Sequence, residues 1–268
     1  MSSAGKWLGL AIAFSFFAGL FKVLGGVVGE SKAVFVDALT SVANTLSIYL
    51  IYSYYRKSLE PPDQDHHYGH FRIALGGPVA TLMLYSFVLG LVASDLVHSF
   101  GEPYYVKSYA PIFASIGMAL YAVAIAVARR VPELSIYYTK FTAIEFIEGF
   151  STIASSVGGM LISFWIDYAT AVALALYLVY ELWESLNSVV YTISDFSERS
   201  IVEEITRFLN SSGFEVRRIR VRKVFGDIYQ GDAIVKPENQ IANVGEAVKR
   251  VEDEIRKRFK TDLVIKVE

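Results

Sequence analysis

The sequence predicts a membrane all-α six-helix transmembrane bundle followed by a C-terminal cytoplasmic α+β domain of the ferredoxin-like kind. Three observations predict it. Hydrophobic residues make up 53% of the 268 positions. Charged residues are about 12% of positions 1–197 but about 39% of positions 198–268. The first part resolves into six apolar runs, 7–28, 33–55, 73–100, 109–128, 141–164 and 166–191, each near or above the roughly 20 residues a helix needs to cross a bilayer core. Residues 1–197 are therefore expected to form the membrane domain and 198–268 the soluble one, with the break near Asp195–Ser200.

The first run is too long, and too free of a small-residue cleavage site, for a signal peptide, so it reads as the first span. Lysine and arginine near the run ends set the orientation. With the N-terminus inside, the inner side holds Lys6, Arg56, Lys57, Arg72, Arg129, Arg130 and Lys140. The outer loops then hold only Lys32 and Lys107. That asymmetry predicts an integral protein of the cell membrane with both termini in the cytoplasm. "GGP" at 76–78 predicts a kink or a close packing contact in the third span. His98, at the outer end of that span, reads as an interfacial residue rather than a ligand.

The soluble part predicts helix, strand, strand, helix, strand. "SERSIVEEITRFLNSSG" has helical periodicity and stops at Gly213. "FEVRRIRVRKVF" alternates apolar and basic residues as a half-buried strand does, "GD" at 226–227 makes a turn, and "IYQGDAIVKP" makes a second strand. "QIANVGEAVKRVEDEIRKRF" is an amphipathic helix and "DLVIKVE" the last strand. Such a module suits regulation or dimerisation. It contains no histidine or cysteine, which argues against a tight transition-metal site there.

A net charge of −2 says little about partners and gives no support for nucleic acid. The chain has no cysteine, so disulfides and thiolate metal ligands are excluded. No nucleophile triad, phosphate loop or dinucleotide fingerprint is visible, and the chain does not read as an enzyme.

Ionisable groups inside spans are costly and usually face a cavity or a partner. The second run places Asp37, Thr40, Ser41 and Asn44 on one helical face, and the fifth places Glu145 and Glu148 on another, with Thr142, Ser151 and Thr152 nearby. At 1.5 Å per residue, Asn44 and Glu148 lie about 16 Å and about 15 Å into the bilayer, close to its midplane. Two polar faces meeting at mid-depth resemble an ion site in a helical transporter. The competing reading is that these groups bridge helices as polar contacts. Asp37, nearer the outer surface, could also be solvated, and Lys22 in the first span could pair with an acid or reach outward.

At these residues the chain resembles the cation diffusion facilitator family. "KVLGGVVGESKAVFVDALTSVANTLS" (22–47) is similar to its first signature, and "PPDQDHHYGHFR" (61–72) to the segment after it. "ESLNSVVYTISD" (184–195) resembles the end of its sixth helix, and the tail resembles its cytoplasmic domain. The resemblance implies a homodimeric transporter in the lipid bilayer that exports divalent metal ions in exchange for protons. It implies a central site of two residues on the second span and two on the fifth, each pair spaced i, i+4. The first pair falls on Thr40 and Asn44. The second falls on Ile144 and Glu148 if Ser151, Thr152 and Gly158 are aligned, or on Phe141 and Glu145 in a gap-free placement; the first is preferred. The expected transport site is thus Thr40, Asn44, Glu145, Glu148 and Asp37.

The family commonly has histidine or aspartate at these positions, and this chain has neither at Thr40 and Asn44. An all-oxygen set suits harder ions such as Mn²⁺, Fe²⁺ or Mg²⁺ better than Zn²⁺. The identity of the divalent ion within the Mn/Fe/Zn class stays open at this point. The missing carboxylates also leave a second reading, a transport-impaired paralogue acting as a regulatory or heterodimer subunit.

The "DQDHHYGHFR" stretch, 63–72, falls in the cytoplasmic loop between the second and third spans. By the resemblance, Asp63, His66 and His70 match a second metal site found in some members. One carboxylate and two imidazoles supply three ligands of a tetrahedral site, with Asp65 and His67 as spare candidates. The alternatives are a structural role in packing the loop and an exposed accident. Arg72 matches a basic residue that pairs with an acid at the end of the sixth span, here Asp195, in a charge interlock.

Overall fold

The computed structural model describes residues 3–67, 69–130, 132–238 and 243–268, with side chains at 3–5, 8, 132–143 and 225 outside the description. Lys140, Phe141 and Thr142, named above, therefore lie outside the described side chains. The chain forms α1 (Ser3–Val28), α2 (Lys32–Ser58), a 3₁₀ turn (Phe71–Leu75), α3 (Gly76–Ser99), α4 (Tyr109–Ala128), α5 (Pro132–Leu161) and α6 (Phe164–Ile193). The C-terminal part forms α7 (Arg199–Ser211), β1 (Phe214–Phe225), β2 (Ile228–Pro237), α8 (Val244–Phe259) and β3 (Thr261–Val267).

Among the described residues, 5 helical segments are long and apolar enough to cross a membrane; they fall in α1, α2, α3 with its leading 3₁₀ turn, α4 and α6. Their outward faces carry bare apolar side chains, such as Met83, Phe87, Val97 and Trp183. Soluble domains seldom leave so much apolar surface in water, whereas a bilayer accepts it. The protein is an integral membrane protein. α5 begins at Pro132, well ahead of the apolar run at 141, because proline is preorganised for the first helical position.

The chain divides into two compact units, residues 1–54 with 76–185, and residues 55–75 with 186–268. In the first unit α1 lies along α4 by means of small residues. A Cβ on Gly29 would stand 2.6 Å from the Cα of Ala110, and one on Gly117 would stand 2.8 Å from the Ala18 carbonyl. Small residues at this contact let the backbones approach, which replaces the hydrophobic driving force missing in lipid. Tyr85, Val88, Val92 and Leu96 bury one stripe of α3 against Val36 and Ala43 of α2 and Tyr168, Ala171 and Leu178 of α6. The glycines at the start of α3 serve close packing, since Cβ atoms there would strike the Tyr54 ring and the Ile51 backbone.

Asp167, at the start of α6, is fully buried. It accepts hydrogen bonds from Ser31 Oγ at 2.6 Å, Lys32 N at 2.7 Å, Ala33 N at 3.4 Å and Tyr104 Oη at 2.9 Å. A carboxylate is thus held at the N-terminus of α2, where free amides and the helix dipole favour negative charge. His98 is accounted for locally, with Nδ1 donating to the Ser94 carbonyl at 2.7 Å.

In the second unit β1 and β2 pair antiparallel from Phe214↔Pro237 to Phe225↔Ile228, turning at Gly226, whose φ is 55°. α8 then crosses over to bring β3 parallel to β2, giving the order β1-β2-β3. Ile205 and Leu209 of α7 and Val251, Ile255 and Phe259 of α8 cover Val221, Ala233, Val235, Leu263 and Ile265 of the sheet. The 3₁₀ turn Phe71–Leu75 packs against β1.

Candidate functional site

The polar face of α2 exists because Asp37, Thr40, Ser41 and Asn44 recur at helical spacing in an otherwise apolar element. Asp37 is only 2% exposed, so it is not solvated. Its Oδ1 accepts from Lys22 Nζ of α1 at 2.7 Å and from Ser41 Oγ at 3.4 Å, and its Oδ2 accepts from Thr152 Oγ1 of α5 at 3.1 Å. Lys22 is buried as well and donates to Ser41 Oγ at 2.9 Å. Of its two expected roles, Lys22 takes the pairing one.

Thr40, one turn on, donates to the carbonyls of Val36 at 3.3 Å and Asp37 at 3.1 Å, which leaves its lone pairs available. Asp37 and Thr40 line a narrow cavity of about 10 Å³, roughly the room one water needs, with Glu148 of α5 and Tyr177 and Glu181 of α6, closed by Val36, Leu174 and Leu178. Tyr177 stands one turn before Glu181 on the same side of α6. Two carboxylates, Glu148 and Glu181, thus share a cavity with a paired third, Asp37. Oxygen donors of this kind suit a hard or borderline divalent cation.

Asn44 does not join Glu148. Its Nδ2 donates to Glu145 Oε1, while Glu145 Oε2 is buried with no hydrogen-bond partner among the described residues. Ile144, the position preferred beside Glu148, is 39% exposed. Glu181 and Tyr177 were missed by sequence reasoning. The available signal was an acid inside the sixth apolar run, the same signal that drew attention to Glu145 and Glu148.

The second cluster lies in the second unit. Asp63 Oδ1 accepts from the backbone amides of His66 at 2.7 Å and Asp65 at 3.0 Å, which closes a tight turn. The His66 amide first, with the Asp65 amide adding to it, holds the exposed Asp63 carboxyl below the usual carboxylate range. His70 Nδ1 donates to the Pro61 carbonyl at 3.1 Å, and that carbonyl can only accept. In the neutral ring Nε2 is then a bare lone pair, and it points at Asp63 Oδ2 from 3.3 Å.

His66 Nδ1 stands 3.2 Å from Asp63 Oδ1, and the two imidazole rings are 4.2 Å apart. Ligand atoms of all three residues lie within 4.8 Å of one another. Two acceptors facing each other at that distance repel unless a proton or a metal ion stands between them. Around a tetrahedral ion with bonds of about 2.0–2.1 Å, neighbouring ligand atoms lie about 3.3 Å apart. The Pro61 carbonyl fixes the tautomer as an outer partner of a metal-bound histidine does.

In the same unit, Arg72 Nη2 donates to Asp195 Oδ1 at 2.7 Å, the pairing expected from the sequence. Arg222 of β1 joins them, at 3.2 Å and 3.3 Å from the two Asp195 oxygens. Asp195 follows α6 with a φ of 57°, a left-handed backbone turn that aspartate tolerates better than most residues other than glycine and asparagine.

Residues 8–194 match the cation efflux transmembrane domain family. Over 95 residues, 35% of this chain, the sequence is 30% identical to the manganese efflux system protein MneP of Bacillus subtilis (strain 168), covering 32% of that protein. Over 185 residues, 65% of this chain, it is 25% identical to the manganese efflux system protein MneS of the same organism, covering 62% of it. The chain thus spans about a third of the length of the first relative and less than two thirds of the second.

Proposed function

The chain belongs to the cation efflux, or cation diffusion facilitator, family, and on that premise we propose that it exports a divalent metal cation in exchange for protons. The observation that supports this most directly is the cavity where Thr40 of α2 meets Glu148 of α5. Asp37 borders it, and the Asn44–Glu145 pair links the same two helices. In this reading α5 also crosses the bilayer and completes the six spans, the cell membrane is the location and both termini lie in the cytoplasm. The tail, read as a ferredoxin-like module that begins with α7 in place of a leading strand, regulates the transporter or helps it form a homodimer.

Mn²⁺ is the cargo favoured here. The membrane donors are all oxygen, which disfavours the softer preference of zinc, and the two relatives are manganese efflux proteins. A dehydrated ion enters from the cytoplasmic side, and the Glu148 carboxylate and Thr40 hydroxyl replace part of its water shell. Movement of α2 and α5 against the other helices opens the cavity outward. A proton arriving from outside takes the Glu148 oxygen and releases the ion. The Asp63, His66 and His70 cluster holds a second metal ion in this reading, which fixes the loop or gathers ions.

Liposomes holding the purified protein test the proposal. Wild type should take up Mn²⁺ with opposite proton movement, and Glu148→Gln should abolish uptake while eluting and melting as wild type does. Uptake unchanged in Glu148→Gln would overturn the site. The tie of Asn44 to Glu145 favours a second reading, a transport-impaired subunit. That reading would show as no metal-dependent proton flux from this chain alone.

A further inference from the structure

We propose that Lys22 is a built-in cation that cancels the charge of Asp37 and keeps this aspartate out of the cargo's ligand set. The inference rests on the transport site proposed above and assigns roles within it. Asp37 borders the cavity and by sequence spacing alone would serve as a ligand. Yet its Oδ1 is engaged by the Lys22 ammonium at 2.7 Å and by Ser41, and its Oδ2 by Thr152.

Both partners are sealed, with side chains 2% and 1% exposed. The Lys22 stem is also locked, since a Cβ on Gly117 of α4 would stand 2.7 Å from Lys22 Cγ. Glycine there leaves the only room the stem has on that side. One lysine from α1 is thus seated against α4 and hydrogen-bonded to α2, whose Asp37 is tied in turn to α5.

The consequence is electrostatic. A fixed ammonium occupies Asp37 in every state in which this packing persists, so the cavity offers its cargo the carboxylates of Glu148 and Glu181 without a third. Charge count is a main lever on the affinity of oxygen sites for divalent ions. A third free carboxylate would bind the ion more tightly and release it more slowly. Lys22 is therefore a positioning residue that sets affinity low enough for turnover.

The test is Mn²⁺ uptake into proteoliposomes as a function of Mn²⁺ concentration, for wild type, Lys22→Met and the double variant Lys22→Met/Asp37→Asn. Freeing Asp37 in Lys22→Met should lower the half-saturating Mn²⁺ concentration about tenfold and lower maximal uptake as well. Removing both charges should return half-saturation to within about twofold of wild type. A purely structural pair would leave half-saturation unmoved in every variant that folds, which overturns the inference.

If Lys22→Met fails to fold, Lys22→Gln, which keeps a donor for Asp37 without the charge, takes its place: a lowered half-saturation supports the inference and an unmoved one overturns it. In the double variant, half-saturation raised tenfold or more would make Asp37 a ligand and sink the proposal. If wild type itself takes up no Mn²⁺, the functional reading falls and this inference with it. With wild-type uptake intact, an unmoved Lys22→Met overturns this inference alone.

Discussion

Asp37 and Asp63 are both aspartates held by several donors, yet one side chain is 1% exposed and the other 53%. Asp37 has its charge cancelled by a fixed ammonium and oxygens taken by Ser41 and Thr152. Asp63 uses one oxygen to close a turn and aims the other at the bare nitrogen of a histidine. The buried acid is finished by protein groups, whereas the exposed one needs a cation from outside to complete its surroundings. The difference teaches that an acid's chemistry in this chain is set by which donors the fold has already committed to it. Substituting a committed acid should damage folding, and substituting an uncommitted one should damage ligand binding alone.

The largest effect expected from that rule falls on Asp167. Replacing it with alanine strips partners from Ser31, Tyr104 and the first amides of α2 in a buried site. Buried donors left without acceptors cost stability, here about 3 kcal/mol in total. The midpoint of thermal unfolding in detergent should drop accordingly, with Mn²⁺ half-saturation of the surviving protein unmoved. A variant that melts as wild type does would break the contrast between committed and free acids.

Asp63→Ala should behave in the opposite way. Thermal unfolding should barely change, while zinc or manganese binding at the loop, read by calorimetry, should weaken by about tenfold or more. The pH dependence has a definite sign. The folded-state carboxyl of Asp63 is held below its ordinary range by the His66 amide, so the turn it closes is fully formed above the ordinary carboxylate range. That support is lost as pH falls through the depressed folded value. Loop binding insensitive to both the substitution and acid would return the histidines to a packing role.

Sequence periodicity sufficed for the tail, where helix, strand, strand, helix, strand appear in the expected order, because amphipathic elements advertise their buried face. The apolar runs likewise mark the helices of the membrane part to within a few residues, except where the more polar Pro132 end of α5 precedes its run. What could not be read was pairing between elements. Nothing in the spacing of α2 and α5 tells that Asn44 turns to Glu145 rather than to Glu148. Nor does it tell that Lys22 of α1 reaches Asp37, or that α6 adds Glu181 to the cavity. Helical spacing gives the face a residue occupies, and the neighbouring helix decides what that face meets.

Asp195 sharpens the comparison at its weak end, because it is committed to partners yet exposed. Its carboxylate sits between Arg72 and Arg222, with the three side chains 51%, 54% and 39% exposed. Exposure of this degree screens each pair, so Arg72→Ala should cost only about 0.5 kcal/mol. Arg222 stays in reach of both carboxylate oxygens in that variant and keeps Asp195 neutralised. Removing both arginines leaves the left-handed turn at Asp195 carrying an unpaired charge, so the double variant should lose more than the two single losses added together. Thermal unfolding at low salt reads the coupling, and high salt should erase it. Strict additivity at low salt would mean that each arginine holds Asp195 independently. Commitment would then require burial as well as partners, which is the property that separates Asp37 from every exposed acid in the chain.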